Sequence, residues 1–347
     1  MTAPGSFRIL SVDGGGMRGL IPAVVLCEIE KRLRERTDEN AQLVDYFHLF
    51  AGTSTGGLIA LGLTSPVRMD GEALAGLYRK RGPEIFARSV WQRVRTADGW
   101  LGPKYSPGAL RKVLEEELGP GRLAEALREV LVTSYDMHAR KPKFFKRWRA
   151  QASPDKNATI VDAALSTASA PTYFPSHPVD AAVLIDGGVF AANPSIAAIA
   201  EALKRTVDPV PRGPRDLFVV SLGTGSHEEQ FEQSQVSRWG RIGWILPRGE
   251  DPALIGAMLD GQSDAADHWA HMLLNQDPGT TPDPDLGHGP RYYRLQTELP
   301  AGIALDDAGE KALGQLDSAA RALISKASAD LDAIVDFVVK EGPLPAT

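Results

Sequence analysis

The sequence lacks several features that would place it in a specialised class of protein. Its single cysteine, Cys27, excludes an internal disulfide framework and fits a reducing compartment. Its apolar runs all fall far short of the roughly 18 consecutive residues that a transmembrane helix needs. Its first residues lack the charged, apolar and small-residue regions of a secretory leader. These absences predict a cytoplasmic protein that can still be peripheral to the inner face of the cell membrane.

The net charge and the histidine spacing argue against a nucleic-acid-binding protein and against a metalloprotein. The 347 residues carry a formal net charge of −6, so the bulk charge does not favour a nucleic-acid polymer as partner. The seven histidines show no spacing typical of a metal site, and we expect neither a metal nor another cofactor. With 43% hydrophobic and 24% charged residues, the composition is that of a globular chain with one large domain or two smaller ones.

The most informative stretch is Tyr46–Leu63, where an apolar run, a glycine-rich turn and a second apolar run predict strand, turn and helix. The turn reads Gly52-Thr53-Ser54-Thr55-Gly56, the Gly-x-Ser-x-Gly pattern of a nucleophile elbow. Gly52 and Gly56 must be small so that strand and helix can pack around Ser54. The helix start also directs free N–H groups and a positive dipole end toward the serine. The alternative is a structural turn in which Ser54 only caps the helix.

A second glycine-rich turn, Asp13-Gly14-Gly15-Gly16-Met17-Arg18-Gly19, follows a predicted strand and precedes a predicted helix. Consecutive glycines allow backbone N–H groups to face an anion. Three interpretations are open: an oxyanion hole for an acyl-transfer serine, a dinucleotide site of the G-x-G-x-x-G type, or a structural turn. Successive strand ends of a strand–helix–strand unit lie side by side, so this loop and Ser54 are predicted neighbours. That proximity favours the oxyanion hole.

A candidate base follows a later predicted strand, which ends at Asp186-Gly187-Gly188. A carboxylate at a strand end, freed by two glycines, is well placed to reach a catalytic centre. The alternative is an aspartate that only caps a chain reversal. The order Ser54, Asp186, His227 also matches the triad order of α/β-hydrolases, which gives a rival esterase acting on non-lipid substrates.

The remaining chain predicts a layered architecture, because its many alternating strands and helices favour an α/β sheet covered on both faces. Two segments that combine tryptophan with arginine, 87–105 and 230–255, are predicted lids or surfaces for a membrane or partner. Beyond Asp306, a predicted N-cap, apolar residues recur at helical spacing. This amphipathic C-terminal region is expected to pack on the domain or, alternatively, to form the surface of a homodimer or higher homo-oligomer.

Taken together, Asp13–Gly19, Gly52–Gly56 and Asp186–Gly188 resemble the patatin-like phospholipase family. The stretches Ala168–Pro175 and Asn193-Pro194 also match, although Ala192 stands where the family often has asparagine. The resemblance covers most of residues 7–225, taken as the catalytic core, and leaves 226–347 as C-terminal segments packed on the same domain. It implies a three-layer α/β/α fold with a central, mostly parallel sheet and a helical C-terminal extension.

The resemblance also implies a chemistry, the hydrolysis of lipid esters by a Ser–Asp dyad without a metal. It assigns Ser54 as nucleophile and Asp186 as proton acceptor, and it places the oxyanion hole at Gly14, Gly15 and Gly16 with support from Arg18. The substrate would be a phospholipid in a membrane surface.

The resemblance has a second, regulatory part. The chain is similar to bacterial patatin-like effectors of anti-phage defence, in which a cyclic nucleotide activates the phospholipase. The alternatives are a lipid-metabolism hydrolase that needs no activator and a non-enzymatic dinucleotide-binding module.

Overall fold

The computed structural model describes residues 6–87, 102–204, 212–227, 231–245, 252–275, 290–300 and 303–345. Its strands are β1 (Phe7–Val12), β2 (Leu49–Gly52), β3 (Glu129–Asp136), β4 (Lys141–Lys146), β5 (His177–Val179), β6 (Ala182–Asp186), β7 (Leu217–Leu222), β8 (Ser226–His227), β9 (Tyr292–Leu295) and β10 (Glu298–Leu299). Its helices are α1 (Leu20–Arg36), α2 (Thr55–Thr64), α3 (Gly71–Ile85), α4 (Pro107–Leu118), α5 (Arg147–Ala152), α6 (Ile160–Ala168), α7 (Ser195–Lys204), α8 (Gln233–Val236), α9 (Arg241–Ile245), α10 (Ala253–Leu274), α11 (Glu310–Lys326) and α12 (Ser328–Glu341).

The central element is an eight-stranded sheet with the order β5-β6-β3-β2-β1-β7-β9, in which β4 also pairs with β3. Strands β3, β2, β1, β7 and β9 are parallel, whereas β4 and β6 run antiparallel to β3 and β5 runs antiparallel to β6. Strands β8 and β10 form a separate two-stranded sheet. The predicted α/β class with a mostly parallel central sheet is confirmed.

Both faces of this sheet are buried. Along β1, Leu10 and Val12 belong to one apolar core, while Phe7 and Ile9 belong to the core on the other face. The first core also contains residues of α1, α2, α3, α4, α6, α11 and α12. The second core contains residues of α7 and α10. Strands β1 and β7 are buried along their whole length, and the helices on the two faces of the sheet make the three layers.

Strand β3 aligns the two strand ends that matter for the site. Strand β2 pairs with residues 129–132 of β3, β6 pairs with residues 134–136, and β4 pairs with residues 131–136. A strand has only two edges, so β2 and β6 lie end to end along the edge opposite β4. Because β2 is parallel and β6 antiparallel to β3, Gly52 and Asp186 face each other with Thr133 between them.

The C-terminal region is helical and packs on the domain. Helices α11 and α12 contact α1 and bury side chains such as Leu316, Ile334 and Val338. The predicted helix start at Asp306 is wrong, because α11 begins at Glu310. The Asp306 carboxylate is buried and accepts a hydrogen bond of 2.5 Å from the Tyr105 hydroxyl, so it is not available as a cap.

The two tryptophan-containing segments are described only in part. Residues 88–101 of the first lie outside the described residues, and so do residues 230 and 246–251 of the second. Helices α8 and α9 belong to the second segment. In the ranges that the structure describes, no helix combines the length and the apolar character needed to span a membrane.

Candidate active site

The sharp turn between β2 and α2 holds Ser54 in a strained backbone conformation. Its φ of 54° and ψ of −123° are costly for a residue with a side chain, by about 1–3 kcal/mol, and such outliers cluster at functional sites. A Cβ atom on Gly52 would lie 2.1 Å from the Gly56 carbonyl oxygen, and one on Gly56 would lie 2.1 Å from the Val12 carbonyl oxygen. Strand, turn and helix therefore approach too closely for any residue but glycine, which is the geometry of a nucleophile elbow.

The Gly56→Ala substitution is expected to destabilise the fold by about 3 kcal/mol, because the added methyl group meets backbone atoms that cannot move independently. Urea denaturation monitored by circular dichroism would measure this. The matched control is Gly76→Ala in α3, where nothing lies within 4 Å of the added Cβ. That variant should gain about 0.5–1 kcal/mol from helix propensity. Equal stability of the two variants would contradict the close packing at the elbow.

Three threonines fix the turn, and sequence analysis did not identify them as site residues. The Ser54 N–H donates to Thr167 Oγ1 at 2.8 Å. Thr53 Oγ1 lies 2.7 Å from Thr133 Oγ1, and the Thr53 hydroxyl donates to the Ala191 carbonyl at 2.6 Å. Only Thr53 belongs to a motif. The other two are brought to the turn by β3 and α6.

The Asp186 carboxylate lies next to Ser54, close enough for the Ser54 hydroxyl to lower its pKa. The Gly188 N–H donates to its Oδ1 at 2.7 Å. Asp186 is only 4% exposed. Burial raises the pKa of Asp186 to about 6, although the neighbouring Ser54 hydroxyl and the Gly188 N–H act to lower it. A carboxyl group with this pKa is a stronger base than an exposed one and is still mostly ionised at pH 7.

Histidines and clusters of metal ligands are absent from the described part of this site. The backbone of His227 belongs to β8 and pairs with Leu299, but its side chain lies outside the described residues. Among the residues that the structure describes, no histidine lines the cavity containing Ser54 and Asp186. Nor do these residues include a group of three or more histidine, cysteine, aspartate or glutamate side chains that could hold a metal ion. The triad with His227 stays a hypothesis.

The glycine loop lies beside Ser54, since a Cβ atom on Gly14 would be 3.3 Å from Ser54 Cβ. The Gly14 N–H donates to the Ala192 carbonyl at 2.9 Å, so this donor is already used. Within the described ranges, the N–H groups of Gly15 and Gly16 donate to no acceptor, and both residues line the cavity with Ser54. The departure from the family pattern at Ala192 leaves this contact intact, because the acceptor is a backbone oxygen.

Residues after position 300 brace the far side of the loop. Gly16 has a φ of 56°, and a Cβ atom there would lie 2.1 Å from the Leu305 carbonyl oxygen. The Met17 N–H donates to that same oxygen at 2.7 Å. Arg18 is buried and donates from Nη2 to the Ile303 carbonyl at 2.7 Å. Arg18 is not among the residues that line the cavity with Ser54, so its support of the loop is indirect.

A buried ion pair holds the start of the same loop. Arg294 of β9 contacts both carboxylate oxygens of Asp13, with Nη1–Oδ1 at 3.1 Å and Nη2–Oδ2 at 2.6 Å. The Ser263 hydroxyl of α10 donates to Asp13 Oδ2 at 2.9 Å. This pair connects β1, β9 and α10 beneath the glycine loop. Sequence analysis missed Arg294, because a single arginine in a predicted late strand carries no signal of its partner.

A cavity of about 280 Å³ opens next to these groups. Ser54, Asp186 and the glycine loop form its polar side. The rest is lined mainly by apolar side chains, among them Leu58, Leu77, Ile85, Phe86, Leu110, Phe174, Val189, Ile255, Met258 and Leu259. Its volume lies at the lower end of the range for small-molecule pockets, and its lining suits a hydrocarbon chain next to a reactive polar end.

The comparisons with known sequences agree with this geometry. The family profile described as Patatin-like phospholipase matches residues 10–199, more than half of the chain. The chain belongs to the patatin-like phospholipase family. Patatin-like protein 2 of Oryza sativa subsp. indica is 31% identical over 349 residues, covering 92% of this chain and 84% of its own length. Patatin-like protein 2 of Arabidopsis thaliana is 36% identical over 322 residues, covering 85% and 77% respectively.

Among solved structures, VipD from Legionella pneumophila aligns with this patatin-like chain at a TM-score of 0.39 and 12% identity. The alignment covers 92% of this chain and 67% of VipD. A likeness this distant supports no statement about function, so family membership alone supplies the class of reaction, hydrolysis of lipid acyl esters.

Proposed function

We propose that this patatin-like chain hydrolyses phospholipid esters with Ser54 as nucleophile and Asp186 as its base. The observation that carries the proposal is the buried Asp186 carboxylate next to Ser54, at one side of an apolar cavity that both residues line. Membership of the patatin-like phospholipase family supports a lipid ester as the substrate class.

The proposal assigns a group to each step of the reaction. Asp186 takes the proton of Ser54 while Oγ attacks the ester carbonyl carbon, and the carbonyl oxygen becomes an oxyanion. The N–H groups of Gly15 and Gly16 stabilise that oxyanion, and one such donor is worth about 3–4 kcal/mol. The ester C–O bond then breaks, and the departing lysophospholipid oxygen takes the proton from Asp186. Water then attacks the acyl-enzyme carbonyl carbon while Asp186 takes one of its protons. The bond between that carbon and Ser54 Oγ breaks, Asp186 returns the proton to Oγ, and the fatty acid leaves.

The pH dependence of hydrolysis should report Asp186. The base must be ionised to accept a proton, so kcat/KM is expected to fall about tenfold per pH unit below a midpoint near the pKa of about 6. Assays on a water-soluble short-chain ester from pH 4 to 9 would measure this fall of kcat/KM without interference from a lipid phase. A midpoint near 4, the ordinary value for an exposed aspartate, would contradict a buried base.

The direct test is fatty-acid release from vesicles of phosphatidylglycerol and phosphatidylethanolamine in the presence of a chelator. We expect release by the wild type with the chelator present, because the proposed mechanism uses no metal. The Ser54→Ala variant serves as the blank. No release from phospholipids or other glycerolipids, with or without added cyclic nucleotides, would contradict the proposal and would favour a non-lipid ester or the dinucleotide-binding module.

We also propose a cyclic nucleotide as activator and a role in anti-phage defence, supported by the sequence resemblance alone. The same vesicle assay tests activation when a panel of cyclic di- and trinucleotides is added. Release that appears only with one nucleotide supports a signal-gated enzyme. Equal release with and without nucleotides indicates a lipid-metabolism hydrolase that needs no activator.

A further inference from the structure

Helix α10 exposes apolar side chains along one face. Leu254 is 42% exposed, Met258 44%, Trp269 57% and Met272 63%. With 3.6 residues per turn, their positions fall on the same face of the helix, and Gly261 and Ala265 lie on that face between them. We call these six residues the apolar stripe. It extends over about 27 Å of the helix.

The opposite face of α10 carries polar groups that are used inside the protein. The Ser263 hydroxyl on this face contacts Asp13 and Arg294, and the same face buries Ala266, Ala270 and Leu274. A surface helix ordinarily directs its apolar residues inward and its polar residues outward. Helix α10 packs its inward face on the domain through Ala266, Ala270 and Leu274 and in addition leaves the apolar stripe outside. Large exposed apolar patches of this kind mark sites of interaction.

The apolar stripe is continuous with the catalytic cavity. Met258 belongs to the stripe and also lines the cavity that contains Ser54 and Asp186. Its neighbours on the helix, Ile255 and Leu259, line the same cavity. Whatever covers the stripe is therefore in contact with residues at the cavity wall.

We propose that the apolar stripe docks on a phospholipid layer, with α10 lying in the boundary between headgroups and acyl chains. The inference rests on the proposed function only in taking a lipid of that layer as substrate. A second copy seated on the whole stripe would cover Met258 and obstruct the cavity, whereas a lipid layer both covers the stripe and supplies the substrate. Exposed tryptophan suits such an interface, and helices with an apolar face lie in its plane.

The charges on α10 define the kind of layer. The helix contains no lysine or arginine, and its exposed charged residues, Asp260 and Asp264, are both acidic. Docking through α10 therefore depends on apolar insertion and gains nothing from negative lipid headgroups. Vesicles of phosphatidylcholine alone should bind at least as well as vesicles with added phosphatidylglycerol.

The test compares the double variant Trp269→Glu/Met272→Glu with Val67→Glu in flotation with phosphatidylcholine vesicles. All chains carry Ser54→Ala, so that the vesicles stay intact. Val67 is 55% exposed at the end of α2 remote from Ser54, which makes it a matched control. We expect the double variant to bind at least about tenfold more weakly, because two charges replace inserted apolar groups. Val67→Glu should bind like the parent.

Two further measurements separate folding and catalysis from docking. With Ser54 restored, the double variant should hydrolyse a soluble short-chain ester at the wild-type rate, since Trp269 and Met272 do not line the cavity. A polarity-sensitive dye on Met272→Cys should shift to the blue when vesicles are added. Burial raises the pKa of the native Cys27 thiol to about 12, so the dye should attach selectively at the new cysteine.

The outcomes distinguish the docking surface from the proposed function. Unchanged vesicle binding by the double variant would overturn the docking surface. The docking surface would also be overturned if the wild type did not bind vesicles but formed a dimer in light scattering, and if the double variant did not form that dimer. Stripe-dependent binding without hydrolysis of any lipid would support the docking surface and contradict the proposed function.

Discussion

The Asp186→Asn substitution is expected to reduce lipid hydrolysis by about 10²–10⁴-fold, the usual contribution of a general base. Asparagine has nearly the same shape as aspartate and can keep the hydrogen bond from Gly188, but it cannot accept the Ser54 proton. The comparison is made in the fatty-acid release assay at pH 8, where the wild-type carboxylate is fully ionised. His227→Ala is the control and should keep most of its activity, whereas a triad enzyme would lose activity in both variants.

The same substitution is expected to stabilise the fold at pH 8. The pKa of Asp186 is about 6 in the folded protein and 3.8 when unperturbed, so the folded state binds more protons between these values. Wild-type stability therefore falls as pH rises through this window, by at most about 3 kcal/mol for the difference 6 − 3.8. The stability of the variant should not fall in this way, because the asparagine amide is neutral at every pH.

Urea denaturation at several pH values measures this second effect. The two proteins should have similar stability near pH 3.5 and differ increasingly up to about pH 7, with Asp186→Asn the more stable. A variant that keeps full activity, or one that is less stable than the wild type at pH 8, would contradict a buried and catalytically active carboxylate.

The Arg294→Met substitution should have the largest effect on stability, a loss of about 3–5 kcal/mol at neutral pH. It removes the cation that pairs with both oxygens of the buried Asp13 carboxylate and leaves that charge uncompensated. The loss should be smaller at low pH, because a protonated Asp13 no longer needs a cation. Chemical denaturation at pH 5 and pH 8 measures both the loss and its direction with pH.

Two controls separate this buried ion pair from a general effect of losing an arginine. Arg321→Met breaks the contact with Asp317 on the surface of α11, where the arginine side chain is 71% exposed, and should cost less than about 1 kcal/mol. The double variant Asp13→Asn/Arg294→Met removes both charges and should recover part of the loss. Equal effects of Arg294→Met and Arg321→Met would contradict a buried ion pair.

Much of the site was predictable because its residues lie at strand ends with local signals. The glycines around Ser54 identify a turn that tolerates no side chain. Gly187 and Gly188 follow directly on Asp186, the last residue of β6. The proximity of Ser54 to Asp186, by contrast, has no local sequence signal. It depends on β2 and β6 sharing one edge of β3, a pairing of distant residues that local patterns do not encode.

Other features could not be predicted, because their cause lies in tertiary contacts. The partner of Asp13 is Arg294, 281 positions along the chain. The Gly14 N–H donates a hydrogen bond to the Ala192 carbonyl, a contact that depends on how the two loops pack together. The orientation of helix α10, with Ser263 inward and Met272 outward, places the Ser263 hydroxyl against Asp13, a contact that no local pattern indicates.

The most direct test of the proposed mechanism is labelling with a fluorophosphonate, which reacts with an activated serine and mimics the tetrahedral intermediate. Peptide mass spectrometry should find one adduct, on Ser54, with a labelling rate that is half-maximal near pH 6, the pKa of Asp186. Asp186→Asn should slow the labelling at least about 100-fold. An adduct on another residue, or labelling of Ser54 at the same rate in Asp186→Asn, would contradict the assignment of Ser54 as a nucleophile activated by Asp186.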